Sequence, residues 1–350
     1  MVYLMKEMKT KKMKARNAYV RLRYKGGGTM DITEESSGCT IVDCASGEAD
    51  TISVSLFNKS GKWFKKNYFP KSSDYIRATI VVDKWKNDSE HREVYQGKFV
   101  ADQFAASGFP ATVDLEGMSI PLHTGFNVTQ RSKTYKKTSL KSILQIIAKR
   151  AGIKLVFEAS NHKADEVSQD GNTDLEFAFS ICSDYGCCMK LYNGKMIIYD
   201  QTAYERKASR FTLNKSDLGD DSTYNFTRSV SKVYDSVKFQ YQNKKGKNIT
   251  YNYNIPGRTG RRTLFISSSA DSHADAEKKA KAQLASTLRE AITASFTVMG
   301  DPKYRACRVF RVTGFGKFNG RYFIDKVTHN FSDEGYTSTI ECHKCVTNIR

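Results

Sequence analysis

Eight cysteines and six histidines are the residues of this 350-residue chain whose chemistry is least generic. Cys342-His343-Lys344-Cys345 has the spacing at which two thiolates can share one zinc ion. Completing a tetrahedral site would take two further ligands, such as Cys39 and Cys44, but no second close pair exists. The pair Cys342 and Cys345 therefore stays a candidate half-site, and no other metal ligand is assigned. Cys187 and Cys188 are adjacent, so a strand would send one into a core and leave the other half-exposed. None of His91, His123, His162, His273, His329 and His343 adjoins a nucleophile, and His329 alternates with Val327 and Phe331 as a packed strand residue does. Glu34-Glu35 and Asp220-Asp221 are neighbouring acids in polar loops, where solvation explains them. Gly314-Phe315-Gly316 lacks the following helix of a dinucleotide loop, and Gly26-Gly27-Gly28 precedes no Lys-Ser or Lys-Thr. No catalytic residue and no cofactor-binding residue is assigned; the chain reads as a non-enzyme with no cofactor.

The elements that would carry these residues are mostly strands. Val20, Leu22 and Tyr24 alternate with Arg21 and Arg23; Ile52, Val54 and Leu56 alternate with serines and threonine; Ile76, Ala78, Ile80 and Val82 repeat the period, and Val113 and Leu115 continue it. Gly26 to Gly28, Asn58 to Gly61 and Asn87 to Ser89 supply the turns. The period changes at Ser139, where Leu140, Ile143, Leu144 and Ile147 form one helical stripe that ends before Gly152. A strand over 153–158 follows, then a polar segment over 160–172. A second helix opens on the capping box Thr173/Glu176 and stops at Gly186. Asn193-Gly194 predicts a hairpin joining 188–192 to 195–199, and Asn319-Gly320 a second one. Alternation returns at Val237, Phe239 and Tyr241 and at Ile249, Tyr251 and Tyr253, broken by an alanine-rich helix over 271–290. The last strand puts Tyr336, Ser338, Ile340 and Cys342 on one face.

Charge is unevenly spread. The formal net charge is +19, yet residues 1–25 hold nine basic side chains against Glu7, and residues 226–262 hold nine against Asp235. Two such blocks on a nearly neutral body suit faces that meet acidic neighbours, either protein surfaces or phosphate. Lysine outnumbers arginine, and bidentate base reading favours arginine, so sequence-specific DNA recognition is not expected. No run reaches the ~18–20 apolar residues of a membrane span. The first residues lack the apolar centre of an export signal, so synthesis in the cytoplasm with reduced thiols is expected.

The landmarks, taken in order, resemble the late control gene D family, the baseplate hub proteins of contractile phage tails. The family has relatives in tailocins and in the first part of type VI secretion spike proteins. Tyr24-Lys25-Gly26, Gly47 to Ile52, Gly61-Lys62-Trp63, Phe69-Pro70 and Gln96 to Asp102 are similar to the family's early motifs. The helix Thr138 to Ile153 resembles its most recognisable segment. Gly314 to Ile324, Val327-Thr328-His329 and Gly335-Tyr336-Thr337 are similar to its closing hairpin. Ser107-Gly108-Phe109-Pro110 departs from the family's frequent Gly-Pro-Pro, and the basic N-terminal arm is a further departure.

The resemblance implies a mainly β protein with an α/β insert (α+β), made of two tail-tube-like antiparallel β-barrels plus a small α/β domain. The expected division is a basic arm at 1–15, a first barrel at 16–130, the insert at 131–202 and a second barrel at 203–350. The implied function is structural: a homotrimeric hub of a phage tail or tailocin baseplate, joining the hexameric tail tube to the trimeric spike. Implied partners are the tail tube protein, the spike protein, the tape-measure protein and other baseplate proteins, without membrane insertion or specific nucleic acid. The rival reading is a basic nucleic-acid-binding protein.

Overall fold

The computed structural model describes residues 16–243 and 246–349, so the basic arm at 1–15 lies outside the described residues. Seven strands make the first third: β1 (Asn17–Lys25), β2 (Thr29–Asp31), β3 (Ser36–Cys44), β4 (Thr51–Phe57), β5 (Tyr75–Asp83), β6 (His91–Ser107) and β7 (Thr112–Met118). They pair antiparallel in the order β2-β1-β5-β6-β7-β4-β3. The alternation explains the inner face, because Leu22, Tyr24, Val54, Leu56, Ile76, Ile80, Val113 and Leu115 are all fully buried. Trp63 closes this core from the loop after β4, where Gly61 takes the left-handed conformation. Turns fall at Gly26–Gly28, at Asn58–Gly61 and between β5 and β6, as the residue types require.

The middle third contains β8 (Gln130–Ser139), α1 (Leu140–Arg150), β9 (Lys154–Glu158), β10 (Lys163–Thr173), α2 (Asp174–Asp184), β11 (Cys187–Tyr192) and β12 (Lys195–Asp200). The Ser139 hydroxyl accepts from Ser142 N at the start of α1, and the stripe Leu140, Ile143, Leu144, Ile147 is buried. Thr173 and Glu176 form the reciprocal capping box of α2. Asn193 and Gly194 both have positive φ, 50° and 71°, as the tight turn between β11 and β12 demands. One expectation fails here. The polar segment over 160–172 is largely strand, because β10 pairs along β8 from Lys163↔Ser139 to Thr173↔Gln130. Its sequence, KADEVSQDGNT, has no apolar alternation, so the partner ladder rather than a buried face defines it. A second expectation also fails: Cys187 and Cys188 are both buried. β11 is covered on two sides, Cys187 facing the α1/α2 core and Cys188 a separate cluster with Ala45, Tyr199 and Phe323.

The last third runs α3 (Gln201–Glu205), β13 (Thr212–Asn214), β14 (Thr223–Arg228), β15 (Ser236–Gln242), β16 (Asn248–Asn254), β17 (Thr263–Ser267), α4 (His273–Arg289), β18 (Ile292–Met299), β19 (Val309–Thr313), β20 (Gly320–Ser332) and β21 (Gly335–Lys344). Strands β15 to β17 form their own sheet, on which α4 lays Ala276, Ala280, Leu284 and Ala285. Asn319-Gly320 is not a two-residue hairpin turn. Asn319 is extended beyond a short 3-10 turn, Gly320 begins β20, and the Asn319 side chain accepts from Phe315 N inside a longer loop.

The strands on either side of α4 are not separate from those of the first third. β20 pairs with β3 from Lys326↔Cys44 to Phe331↔Cys39, so a single 13-stranded sheet runs from β14 through β18, β21, β20 and β3 to β2. Phe331 and Tyr336 accordingly sit in the core of the first third. The chain is a mainly β, α+β protein in which that sheet is the frame.

Val54, fully buried midway along β4, tests the frame. Val54→Asp would place a carboxylate in the core at a cost of several kcal/mol, comparable with a whole domain's stability. The expected outcome is insoluble or grossly destabilised protein by thermal melt; an unchanged melting curve would contradict the placement of β4.

Candidate functional site

Where the frame meets the α/β unit, a lysine is buried. β11 continues an apolar run through Lys190, whose ammonium reaches the bend between β3 and β4. Lys190 Nζ donates to Asp43 Oδ1 at 2.6 Å, Asp50 Oδ1 at 2.8 Å and the Cys44 carbonyl at 2.6 Å. Asp43 Oδ2 accepts from Ala306 N at 3.0 Å, and Asp50 Oδ1 accepts from Cys44 N at 2.9 Å. One side chain of the insert thus binds carboxylates of the first third, one of which is also held by the loop before β19. Burial alone would lower the Lys190 pKa, but the two carboxylates outweigh it and hold it above its ordinary value. Burial likewise opposes ionisation of Asp43, yet Lys190 and Arg305 keep it below its ordinary value, whereas burial pushes Asp50 up to about 7.

A second buried centre lies between α3, α4, β20 and β21. Glu205 is fully buried and accepts from Arg289 Nε at 2.5 Å and from Val346 N at 2.6 Å. His343 bridges it, Nε2 lying 3.3 Å from Glu205 and Nδ1 2.8 Å from Asp325. Burial would lower the imidazole pKa, but the two carboxylates raise it to about 9, so it is the imidazolium that donates from both ring nitrogens. His329 is the opposite case. Its Nε2 donates to the Tyr304 carbonyl at 3.1 Å, its Nδ1 faces Ser338 and Tyr336 hydroxyls at 2.9 Å, and burial pushes its pKa down to about 4. It is a neutral packed histidine, as its strand position suggested.

The candidate metal pair is divided between two packed clusters. Cys342 faces the core beneath β18, its thiol donating to the Ala294 carbonyl, while Cys345 lies past the strand end beside a different cluster. Cys39 is buried in the first core, and burial pushes the Cys44 thiol up to about 12. No group of three or more potential ligands occurs among the described residues. Glu35 is engaged by Lys62, and Asp220 and Asp221 lie in an exposed turn. Sequence reasoning missed both buried centres; a lone lysine inside the apolar run Cys188 to Tyr192 was the available signal for the first.

Both buried centres are bonded within the fold and tie packed clusters together. The surface offers more: Phe109 is fully exposed at the tip of the β6–β7 hairpin, with Phe64 and Phe69 exposed on the loop at the same end of the sheet.

Two outcomes test the centres. Lys190→Met would leave Asp50 buried without its cation and Asp43 with Arg305 alone, at 3.9 Å, and a loss of about 3–5 kcal/mol is expected in denaturant unfolding; a change within ~1 kcal/mol would show the centre is not cohesive. For His343, the folded pKa of about 9 exceeds the unfolded value of roughly 6.5. Its contribution is therefore complete below pH 6.5 and is lost as pH rises through 9, about 3 kcal/mol in all. Unfolding midpoints between pH 6 and 9.5 should fall for the native chain and flatten in His343→Gln; parallel slopes would contradict the assignment.

The whole architecture recurs in solved structures. A tail protein from Neisseria meningitidis MC58 matches with a TM-score of 0.69 at 16% identity, over 95% of this chain and 99% of that one. The 43 kDa tail protein of prophage MuSo2 from Shewanella oneidensis matches with 0.69 at 13% identity, over 93% and 98%. The E. coli c3393 protein, a type VI secretion component described as similar to T4 tail proteins gp27 and gp5, matches with 0.56 at 12% identity, over 90% and 74%. At these identities the likeness is one of fold, and it is the fold expected from the sequence landmarks. No curated protein matches the sequence. The YQBQ-like family model matches residues 128–343, more than half of the sequence, and the chain belongs to the YQBQ-like family.

Proposed function

We propose that the chain is a structural baseplate hub of a contractile injection system, a phage tail or tailocin, and is not an enzyme. It acts as a homotrimer that joins the hexameric tail tube to the trimeric spike. The observation that carries this reading is the end-to-end match, over 95% of this chain and 99% of its counterpart, to a protein described as a tail protein. The fold adds a physical reason. If the two β regions expected from the resemblance, 16–130 and 203–350, each match a tube subunit, three chains would present six of them to a sixfold ring. Fusing the two through β3 and β20 fixes their relative orientation, which a load-bearing adaptor requires. Closed rings also cover sheet edges such as β2 and β14, which end the frame.

In this reading the polypeptide is made in the host cytoplasm and assembled into the particle, with tube, spike and tape-measure proteins as neighbours. Its buried lysine and imidazolium hold the fold against axial force. Electron microscopy of assembled particles with this chain located is the test. Three copies between tube and spike are expected, and six copies in one ring, or a position away from the tube end, would overturn the proposal.

A further inference from the structure

A groove of about 680 Å³ opens between the end of α4, the start of β18 and the chain following β21. Its lining mixes apolar side chains, Leu288, Ile292, Phe318 and Val346 among them, with polar ones such as Thr347 and Asn348. Its charged lining is of one sign: Arg228, Arg258, Lys317 and Lys344, with no acid. Arg258 has a carboxylate partner, Asp235 at 3.6 Å, and Lys344 Nζ donates to the neutral carbonyl of Asn319 at 2.9 Å. Among the described residues no carboxylate pairs with Arg228, Lys317 or Lys344. Glu290 at the end of α4 is turned to Lys232, at 2.6 Å. Concentrated positive charge beside apolar side chains raises the local potential and favours an anionic occupant.

We propose that this groove binds an extended peptide segment of another chain. Its carboxylates would engage Arg228, Lys317, Lys344 and Arg258, and its apolar side chains would rest on Leu288, Ile292, Phe318 and Val346. Charge complementarity sets the acidic character of the occupant, and it disfavours this chain's own first 25 residues, which carry nine basic side chains and one acid. The residue types of the lining separate peptide from nucleic acid. Single strands are held on successive aromatic platforms, and the groove is lined by one aromatic ring, Phe318. Apolar side chains interspersed with arginine forks suit alternating apolar and carboxylate side chains. This inference does not depend on the hub reading, because it needs only the groove.

The test uses the full chain and a fluorescein-labelled acetylated peptide of three Asp-Leu repeats, followed by anisotropy. An Asn-Leu counterpart and hexathymidylate serve as competitors. The acidic peptide is expected to bind at least about tenfold more tightly than either competitor, and to weaken as salt rises. Arg228 and Lys317 are exposed, so Arg228→Glu with Lys317→Glu should leave the thermal melt unchanged while weakening the peptide about tenfold or more. Arg228→Lys with Lys317→Arg should retain binding. Equal affinity for the Asn-Leu peptide, unchanged binding after charge reversal, or tighter binding of hexathymidylate would each overturn the proposal.

Discussion

The ladder between β3 and β20 is the constraint on which the rest of the structure depends. It joins residues 39–44 to residues 326–331, so strands from opposite ends of the chain become neighbours in one sheet. The entropic cost of closing so long a loop grows only slowly with its length, and the ladder's hydrogen bonds and buried faces offset it. Once β3 and β20 are paired, the bend after β3 and the loop before β19 are held side by side. That proximity is what allows Ala306 N to bond Asp43, and what gives Lys190 a buried pair of carboxylates to enter.

The insert is docked rather than tethered. β11 has apolar residues for α1 and α2 on one face and Lys190 with Cys188 on the other, so neither face is left to solvent. A buried ammonium with three good acceptors is weak evidence for net stability, because desolvation consumes much of the Coulomb gain. Its value here is specificity: only one placement of β11 satisfies Lys190, Asp43 and Asp50 together. The Glu205–His343–Arg289 centre does the same for α3, α4 and the last strand. Both devices keep separately packed parts of the chain in fixed relation.

What the sequence made legible was local. The α1 stripe, the Thr173/Glu176 capping box and the Asn193-Gly194 turn are encoded within a few residues, and each stands where the residues put it. The alternating strands of the first third were equally plain, since one face is buried and the other wet. β10 was not, because its polar sequence becomes a strand only through β8. The β3–β20 pairing was invisible for the same reason at longer range. His343, lying between the candidate pair Cys342 and Cys345, had no role of its own in the sequence, because its partners Glu205 and Asp325 lie elsewhere in the chain and nothing local announces them. The landmarks resembling contractile-tail hubs supplied the architecture that periodicity alone could not.

Native-state hydrogen exchange tests the central claim most directly. If β3 and β20 form the hinge-free centre of one frame, the amides hydrogen-bonded across 39–44 and 326–331 should share a single, highest opening free energy. Strands β4 and β21, which flank that ladder, should be lost in the same cooperative step. Two distinct opening free energies, one for the first third and one for the last, would contradict the account.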